Sequence, residues 1–236
     1  METRTIISEI VRVENVKKTY QDNGVPVDAL KGINLKILPQ DFSVIAGPSG
    51  SGKTTLLNII GTLDKPTEGK VYLDGAYVAS KTRRELADIR LRKIGFVFQA
   101  YNLNPVLSAL ENVEFTMMLR GINSVERKKK SLALLNQLGI GDLANKRPNE
   151  MSGGQQQRVA IARAISNDPR LVLADEPTAN LDSETAARLL DLMERLNRED
   201  GITFVFSSHD PQVIDRAHRL LTLKDGQIVA DKKITA

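Results

Sequence analysis

The chain of 236 residues carries 33 lysines and arginines against 29 aspartates and glutamates, a formal net charge of +4, with 41% hydrophobic and 26% charged residues. That composition suits one large globular domain or a domain with a lobe; it excludes a disordered or fibrous chain and is too mildly basic for a polycation. No apolar run exceeds four residues where about 20 are needed to cross a bilayer, cysteine is absent, and residues 1–18 lack the apolar core of a secretory signal, so a cytoplasmic protein without disulfides is expected.

Val11 and Val13 alternate with Arg12 and Glu14, and a second alternating stretch at 30–38 follows a turn around Asn23-Gly24 and Pro26. This predicts antiparallel strands at the start of the chain. An apolar strand, Phe42–Ala46, runs into GPSGSGKT and then TLLNIIG, a helix closed by Gly61. Residues 71–73, Asp74-Gly75 and 77–78 read as a hairpin, and 95–98 as a strand. From about 102 to 164 the pattern is helical, with helices at 110–119, 125–138 and 155–165 broken by Pro105, Gly121, Gly139, Gly141 and Pro148. Strands then return at 171–174 and 203–206 with a helix at 183–197 between them, and the chain ends in strands at 220–223 and 227–229. Alternating strands and helices imply a mostly parallel sheet with helices on its faces.

Gly47, Pro48, Ser49, Gly50, Ser51, Gly52, Lys53 and Thr54, followed by Thr55, spell the pattern G-x-x-x-x-G-K-[ST] between a strand and a helix. Glycines let successive N–H groups turn inward, and the helix adds its positive end, making a cradle for β- and γ-phosphates. Lys53 supplies a mobile charge, and the Thr54 hydroxyl is placed for Mg²⁺. A kinase, GTPase, helicase or transporter motor would each use such a loop, but no Asn-Lys-x-Asp guanine reader occurs.

LVLADEP sets Asp175 and Glu176 just past the carboxyl end of an apolar strand, where ligands sit in open α/β sheets. Asp175 is expected to hold Mg²⁺ directly or through water, and Glu176 to polarise the attacking water as general base. Two adjacent acids repel a triphosphate, and the metal offsets that repulsion. MSGGQQQ places Ser152, Gly153, Gly154 and Gln155 at another helix start, which is either a second anion cradle or a plain N-cap. Two cradles for one triphosphate suggest a head-to-tail dimer, each nucleotide held by the phosphate loop of one copy and the Ser-Gly-Gly start of the other.

In order and approximate spacing, GPSGSGKT, Gln99, MSGGQQQ, LVLADEP, Asn180-Leu181-Asp182 and His209 resemble the motifs of ABC-type ATPases, the nucleotide-binding subunits of ABC transporters, over about 10–229. The resemblance implies a P-loop NTPase (RecA-like) α/β core with an N-terminal antiparallel β-subdomain and an inserted α-helical subdomain at about 100–165, all within one ATPase domain, 1–236. It implies an ATPase using ATP and Mg²⁺, working as a head-to-tail dimer with two ATP buried between protomers. By the same resemblance Gln99 touches Mg²⁺ or the attacking water and links the helical lobe to the core, Asp182 reaches the other protomer's phosphate loop, His209 lies near the γ-phosphate, and Tyr20 stacks on adenine. The residues alone also fit a surface glutamine, a helix N-cap, a polar residue before the Asp210-Pro211 helix start and hairpin packing, respectively.

GTLDKPTEG at 61–69, FVFQAYNLNPVLSALENVEF at 96–115 and ADEPTANLD at 174–182 are closer to the lipoprotein-releasing and macrolide-exporter ATPases. Met151 and the pair Ser207-Ser208 depart from the usual residues without removing a catalytic group. This subfamily implies a membrane permease that grips the helical lobe and the segment after Gln99, holding the chain on the inner face of the cell membrane. A motor resembling the cell-division ATPase, acting on a membrane protein without transport, is an alternative. A soluble nucleic-acid-acting ABC ATPase fits worse: Lys53 and Ser152 are only 99 residues apart and one set of motifs is present, so no direct nucleic-acid contact is expected. The charge excess is localised, since Lys81, Arg83, Arg84, Arg90, Arg92 and Lys93 stand against Glu85 and Asp88, and RKKK follows at 127–130. These clusters fit a solvated helix face or contacts to acidic partner loops or anionic lipid headgroups.

Overall fold

The computed structural model of the chain describes residues 9–22 and 24–234, so Asn23, in the turn expected between the first strands, lies outside the described residues. The chain opens with β1 (Val11–Asp22), β2 (Val25–Ile37), β3 (Phe42–Ala46), α1 (Lys53–Ile60), β4 (Glu68–Leu73), β5 (Ala76–Tyr77), α2 (Arg83–Lys93) and β6 (Ile94–Val97). Three helices follow, α3 (Ala109–Leu119), α4 (Ser124–Gln137) and α5 (Gly153–Ile165). It closes with β7 (Leu171–Asp175), α6 (Ser183–Asp200), β8 (Thr203–Ser208), α7 (Pro211–Ile214), β9 (Arg219–Lys224) and β10 (Gln227–Lys233).

The antiparallel sheet has the order β2-β1-β4-β5. Period-two alternation explains it: Ile33, Leu35 and Ile37 are buried while Asn34 and Lys36 between them are exposed. The second sheet runs β10-β9-β3-β8-β7-β6, parallel from β9 to β6, with β10 antiparallel at the edge. Parallel strands covered on both faces are near-continuous apolar runs, and β3 and β8 are buried at every position, with their few hydroxyl residues buried too. Alternate residues serve two cores. Phe42, Val44, Phe204 and Phe206 pack with residues of α3 to α6, whereas Ile45, Leu171 and Val205 pack with α1 and the antiparallel sheet. This is the α/β P-loop architecture expected, with its antiparallel β-subdomain. The helices α3, α4 and α5 pack on one another, and α5 also lies along β6, where a Cβ on Gly95 would stand 2.4 Å from the Ala164 carbonyl oxygen.

In the basic segment 81–93, helix α2 (Arg83–Lys93) has only Leu86 buried, so apolar periodicity could not announce it; its start is set by a reciprocal cap between Thr82 and Glu85. Several of its charges are engaged. Lys81 pairs with Glu85, Arg92 with Asp88 and Lys93 with Asp74, and Arg90 donates to the Thr62 carbonyl at 2.9 Å. In the 127–130 cluster Lys130 pairs with Asp168, and Arg127 lies 3.8 Å from Glu114. Part of each cluster is thus ion-paired, whereas Arg83, Arg84, Lys128 and Lys129 make no ion pair among the described residues. Val78 leaves the expected hairpin for a short 3₁₀ turn, Val78–Ser80. Among the described residues no helix is long and apolar enough to cross a membrane.

Candidate functional site

Register in the parallel sheet sets the site. Ala46 is level with Ser208, and Asp175 with Ser207, so the segments after β3, β7 and β8 leave the sheet at one edge. The loop after β3 closes on itself through Ser51 N–H to the Pro48 oxygen at 3.2 Å. Gly50 and Gly52 adopt φ of +77° and +102°, which residues with a side chain rarely do. A Cβ on Gly47 would stand 2.1 Å from the Leu223 oxygen, so the loop backbone rests directly on β9. Helix α1 has no side-chain N-cap, which leaves its first N–H groups without side-chain partners. The buried Lys53 ammonium donates to the Gly47 and Pro48 oxygens at 2.8 and 3.1 Å, and Ser51 Oγ is buried with no hydrogen-bond partner among the described residues. Bare N–H groups, a folded-in ammonium and an unsatisfied hydroxyl in one loop fit a phosphate group.

Across from that loop, Thr54 Oγ1 lies 3.2 Å from Asp175 Oδ1, which also accepts from the Ser207 hydroxyl. One hydroxyl and one carboxylate are the protein share of a Mg²⁺ site whose other ligands are water and substrate phosphate. The described residues contain no cluster of three or more His, Cys, Asp or Glu that would cage a metal unaided. Glu176, largely buried, accepts from the Ser208 hydroxyl at 3.1 Å and contacts His209 Nδ1 at 2.8 Å. An ionised carboxylate can only accept, so His209 donates from Nδ1, on a side chain that is 70% exposed. Glu176 sits at φ +45°, held there by its own N–H to the Ser207 oxygen at 2.9 Å.

A second cluster gathers at two helix starts. Ser152 caps α5 reciprocally with Gln155: the Gln155 N–H donates to Ser152 Oγ at 3.4 Å, and the Ser152 N–H to Gln155 Oε1 at 2.9 Å. A Cβ on Gly153 would stand 2.7 Å from the Tyr101 hydroxyl, and one on Gly154 would stand 2.4 Å from a Thr185 methyl, so both glycines are closely packed against neighbouring side chains. Asp182 caps α6 by accepting from the Thr185 N–H at 2.9 Å, and the Thr185 hydroxyl and N–H hold its carboxyl below the usual carboxylate range. Gln99 is exposed, and its carbonyl accepts from Asn180 Nδ2 at 2.9 Å. Among the described residues no hydrogen bond joins Lys53, Thr54, Asp175, Glu176 or His209 to Ser152, Gln155 or Asp182.

Tyr20 lies beside Thr55, at the margin of the phosphate loop. Its hydroxyl donates to Asp64 Oδ2 at 2.7 Å, and the Lys18 ammonium lies 4.7 Å from the ring centre. Partial burial, then the bond to Asp64, raises its phenol pKa.

The family model for ABC transporters matches residues 30–179. The chain belongs to the ABC transporter family. It is 46% identical over 225 residues to the lipoprotein-releasing system ATP-binding protein LolD of Aquifex aeolicus, across 95% of this chain and 98% of that one. It is also 45% identical over 222 residues to the macrolide export ATP-binding/permease protein MacB of Syntrophobacter fumaroxidans, across 93% of this chain but 31% of that longer one. Among solved structures, a dimeric post-hydrolysis state of the Methanocaldococcus jannaschii cassette MJ0796 bound to ADP and Pi matches with a TM-score of 0.89 and 47% identity, over 96% of this chain and 99% of that chain. This ABC cassette is thus an ATPase, with ATP as substrate and Mg²⁺ as its metal.

Several residues of the cassette's site escape sequence reasoning. Ser207 and Ser208, read only as a departure from the usual pair, supply the hydroxyls on Asp175 and Glu176. Thr178 donates to Asp210 at 2.8 Å, and Gln157 to the Pro177 oxygen at 2.8 Å. The available signals are hydroxyls at the end of the apolar strand β8, and a glutamine on the same face of α5 as Ala160, Ile161 and Ala164.

Proposed function

We propose that the chain is the motor subunit of a membrane transport machine, working as a head-to-tail dimer around two ATP and driving a permease of the exporter or lipoprotein-release kind. The observation that carries the reading is the openness of the site in a single chain: Thr54, Gln99, Ser152 and His209 are all exposed, whereas hydrolysis of a bound nucleotide calls for a site closed to bulk water. A second copy laying its Ser152, Gly153, Gly154, Gln155 and Asp182 over the first copy's phosphate loop would close it. The likeness to a dimeric cassette supports the same arrangement.

In this reading Gly47, Pro48, Ser49, Gly50, Ser51, Gly52, Lys53 and Thr55 cradle the phosphates, Tyr20 packs on adenine by the face Lys18 leaves, and Thr54, Asp175 and Gln99 hold Mg²⁺. The metal neutralises phosphate charge. Glu176 takes the proton of the attacking water on its carboxylate, and His209, bonded through Nδ1, keeps that carboxylate aimed. ATP closes two copies, and hydrolysis with phosphate release reopens them.

The helical lobe at about 100–165 is the part we assign to the permease. An apolar groove of about 650 Å³ floored by Phe96, Phe98, Phe115 and Leu119 lies between α2 and the lobe, next to the segment after Gln99, and supports docking there; through the permease the chain would sit on the inner face of the membrane. The names of the relatives, a lipoprotein-releasing system and a macrolide exporter, support the transport class. Glu176→Gln tests the reading: ATP binding persists, turnover falls roughly a hundred- to ten-thousandfold as for loss of a general base, and an ATP-dependent dimer accumulates on size-exclusion chromatography. Near-native turnover would remove Glu176 as the base, and a monomer in ATP would remove the dimer.

A further inference from the structure

Gln157 lies in α5 and is fully buried. Its Nε2 donates to the Pro177 carbonyl at 2.8 Å, while its Oε1 is buried with no partner among the described residues. A buried amide with one half unpaired is a net cost to folding, which methionine or leucine in its place would avoid. Stability therefore does not account for it. What the side chain does touch is the residue directly after Glu176.

Glu176 is a non-glycine residue in the left-handed region at φ +45°, a conformation that persists only where its surroundings over-determine it. On one side its N–H is tied to the Ser207 oxygen of β8 at 2.9 Å. On the other, the next carbonyl along the chain is tied to α5 by Gln157. Pro177 has no N–H, so its carbonyl is the residue's whole backbone hydrogen-bonding capacity, and a side chain from a distant helix takes it. Helix α5 is short, regular and packed along its length, with Val159, Ala160, Ile161 and Ala162 buried. Its first turn holds Ser152, Gly153 and Gly154, five residues or fewer from Gln157. One rigid element thus connects the Ser-Gly-Gly start to the backbone beside the general base.

We propose that Gln157 is a positioning residue through which α5 sets the place of Glu176, so that what the Ser152 start of a chain grips is read out at that same chain's own hydrolytic site. The proposal rests on the head-to-tail reading, in which that start holds the partner's nucleotide. Each copy's Glu176 then responds to the ATP held in the other site.

The test uses the full chain with Gln157→Met, which keeps length and apolar volume and removes the donor, and with Gln157→Leu as a second variant. The expected result is an unchanged or raised thermal midpoint, unchanged ATP affinity by titration, a kcat at least tenfold lower at unaltered KM, and a Hill coefficient for ATP that drops towards one. A purely structural role would lower the midpoint and leave kcat per folded molecule alone. Kcat within twofold of wild type in both variants overturns the proposal, as does a kcat loss that merely follows lost stability. Carrying Gln157→Met into the Glu176→Gln background separates the two readings. If the double variant and Glu176→Gln alone both stay monomeric in ATP, the head-to-tail reading fails. If both dimerise while Gln157→Met hydrolyses normally, the dimer stands and the positioning role fails.

Discussion

The starts of α1 and α5 look alike in the sequence, each a small polar residue with glycines before a helix, yet they are built oppositely. Among the described residues six α-helices carry a side-chain N-cap, from Thr82, Ser108, Asn123, Ser152, Asp182 and Asp210; α1 carries none. Its N-cap position is Gly52, left-handed and unable to cap. A bare helix start leaves donors unmatched in the free chain, and the helix dipole adds positive potential there. That start is a site waiting for an anion. At α5 the reciprocal Ser152–Gln155 cap satisfies the Gln155 and Ser152 N–H groups within the chain, and the glycines pack closely against Tyr101 and Thr185. Only the N–H groups of Gly153 and Gly154 remain for a ligand. The first start is dedicated to a ligand; the second is a sound piece of structure with a share of its donors left over.

This contrast predicts unequal damage. Removing the charge folded into the bare start, Lys53→Ala, weakens ATP binding roughly ten- to a hundredfold, since hydrogen bonds to charged groups are worth about 1.5–3 kcal/mol. Turnover falls with it, because the ammonium serves ground and transition states alike. Isothermal titration with unchanged affinity would break the assignment of α1 as the dedicated cradle. Ser152→Ala should cost about 1 kcal/mol of stability, the usual value of an N-cap, while titration of ATP into the monomeric chain stays as in wild type. Turnover in that variant should nevertheless drop severalfold, because the altered start meets a nucleotide only in the assembled dimer. A Ser152→Ala protein that hydrolyses ATP normally would reduce the α5 start to its capping role.

How far the sequence foretold this follows the same physics. The phosphate loop, Asp175 and Glu176 are legible because each is local: a motif with fixed φ needs, or acids at the end of an apolar strand. Strands β3, β7 and β8 are legible for the same reason, each being a short, mostly apolar and buried run. Helix α2 is not, because one buried leucine gives no period and only the Thr82–Glu85 cap marks its start. The contacts of Gln157 with Pro177, Thr178 with Asp210 and Asn180 with Gln99 span 20, 32 and 81 residues. No local pattern encodes such pairs; they exist only once the sheet has brought the loops together. The pairing of Lys93 with Asp74, 19 residues away, is hidden from the sequence for a related reason.

The sharpest control is a third helix start, that of α3, capped like α5 but not part of either cluster described above. Ser108 and Glu111 cap α3 reciprocally, with Glu111 N–H on Ser108 Oγ at 3.2 Å and Ser108 N–H on Glu111 Oε2 at 2.8 Å. Ser108→Ala should lose about 1 kcal/mol, lowering the thermal midpoint by about 2–4 °C for a chain of this size, with turnover per folded molecule unchanged. The bonds from the Ser108 N–H and hydroxyl hold the Glu111 carboxyl below the usual carboxylate range. A carboxylate depressed in the folded state contributes stability that is present above its unfolded value of about 4.3 and lost as the pH falls through the lower folded one. The stability gap between wild type and Glu111→Gln should therefore close in acid, followed by thermal melts from pH 7 down to pH 3. If Ser108→Ala slowed hydrolysis as much as Ser152→Ala does, the loss at α5 would be a general consequence of fraying a helix, and the leftover donors of Gly153 and Gly154 would have no special part in it.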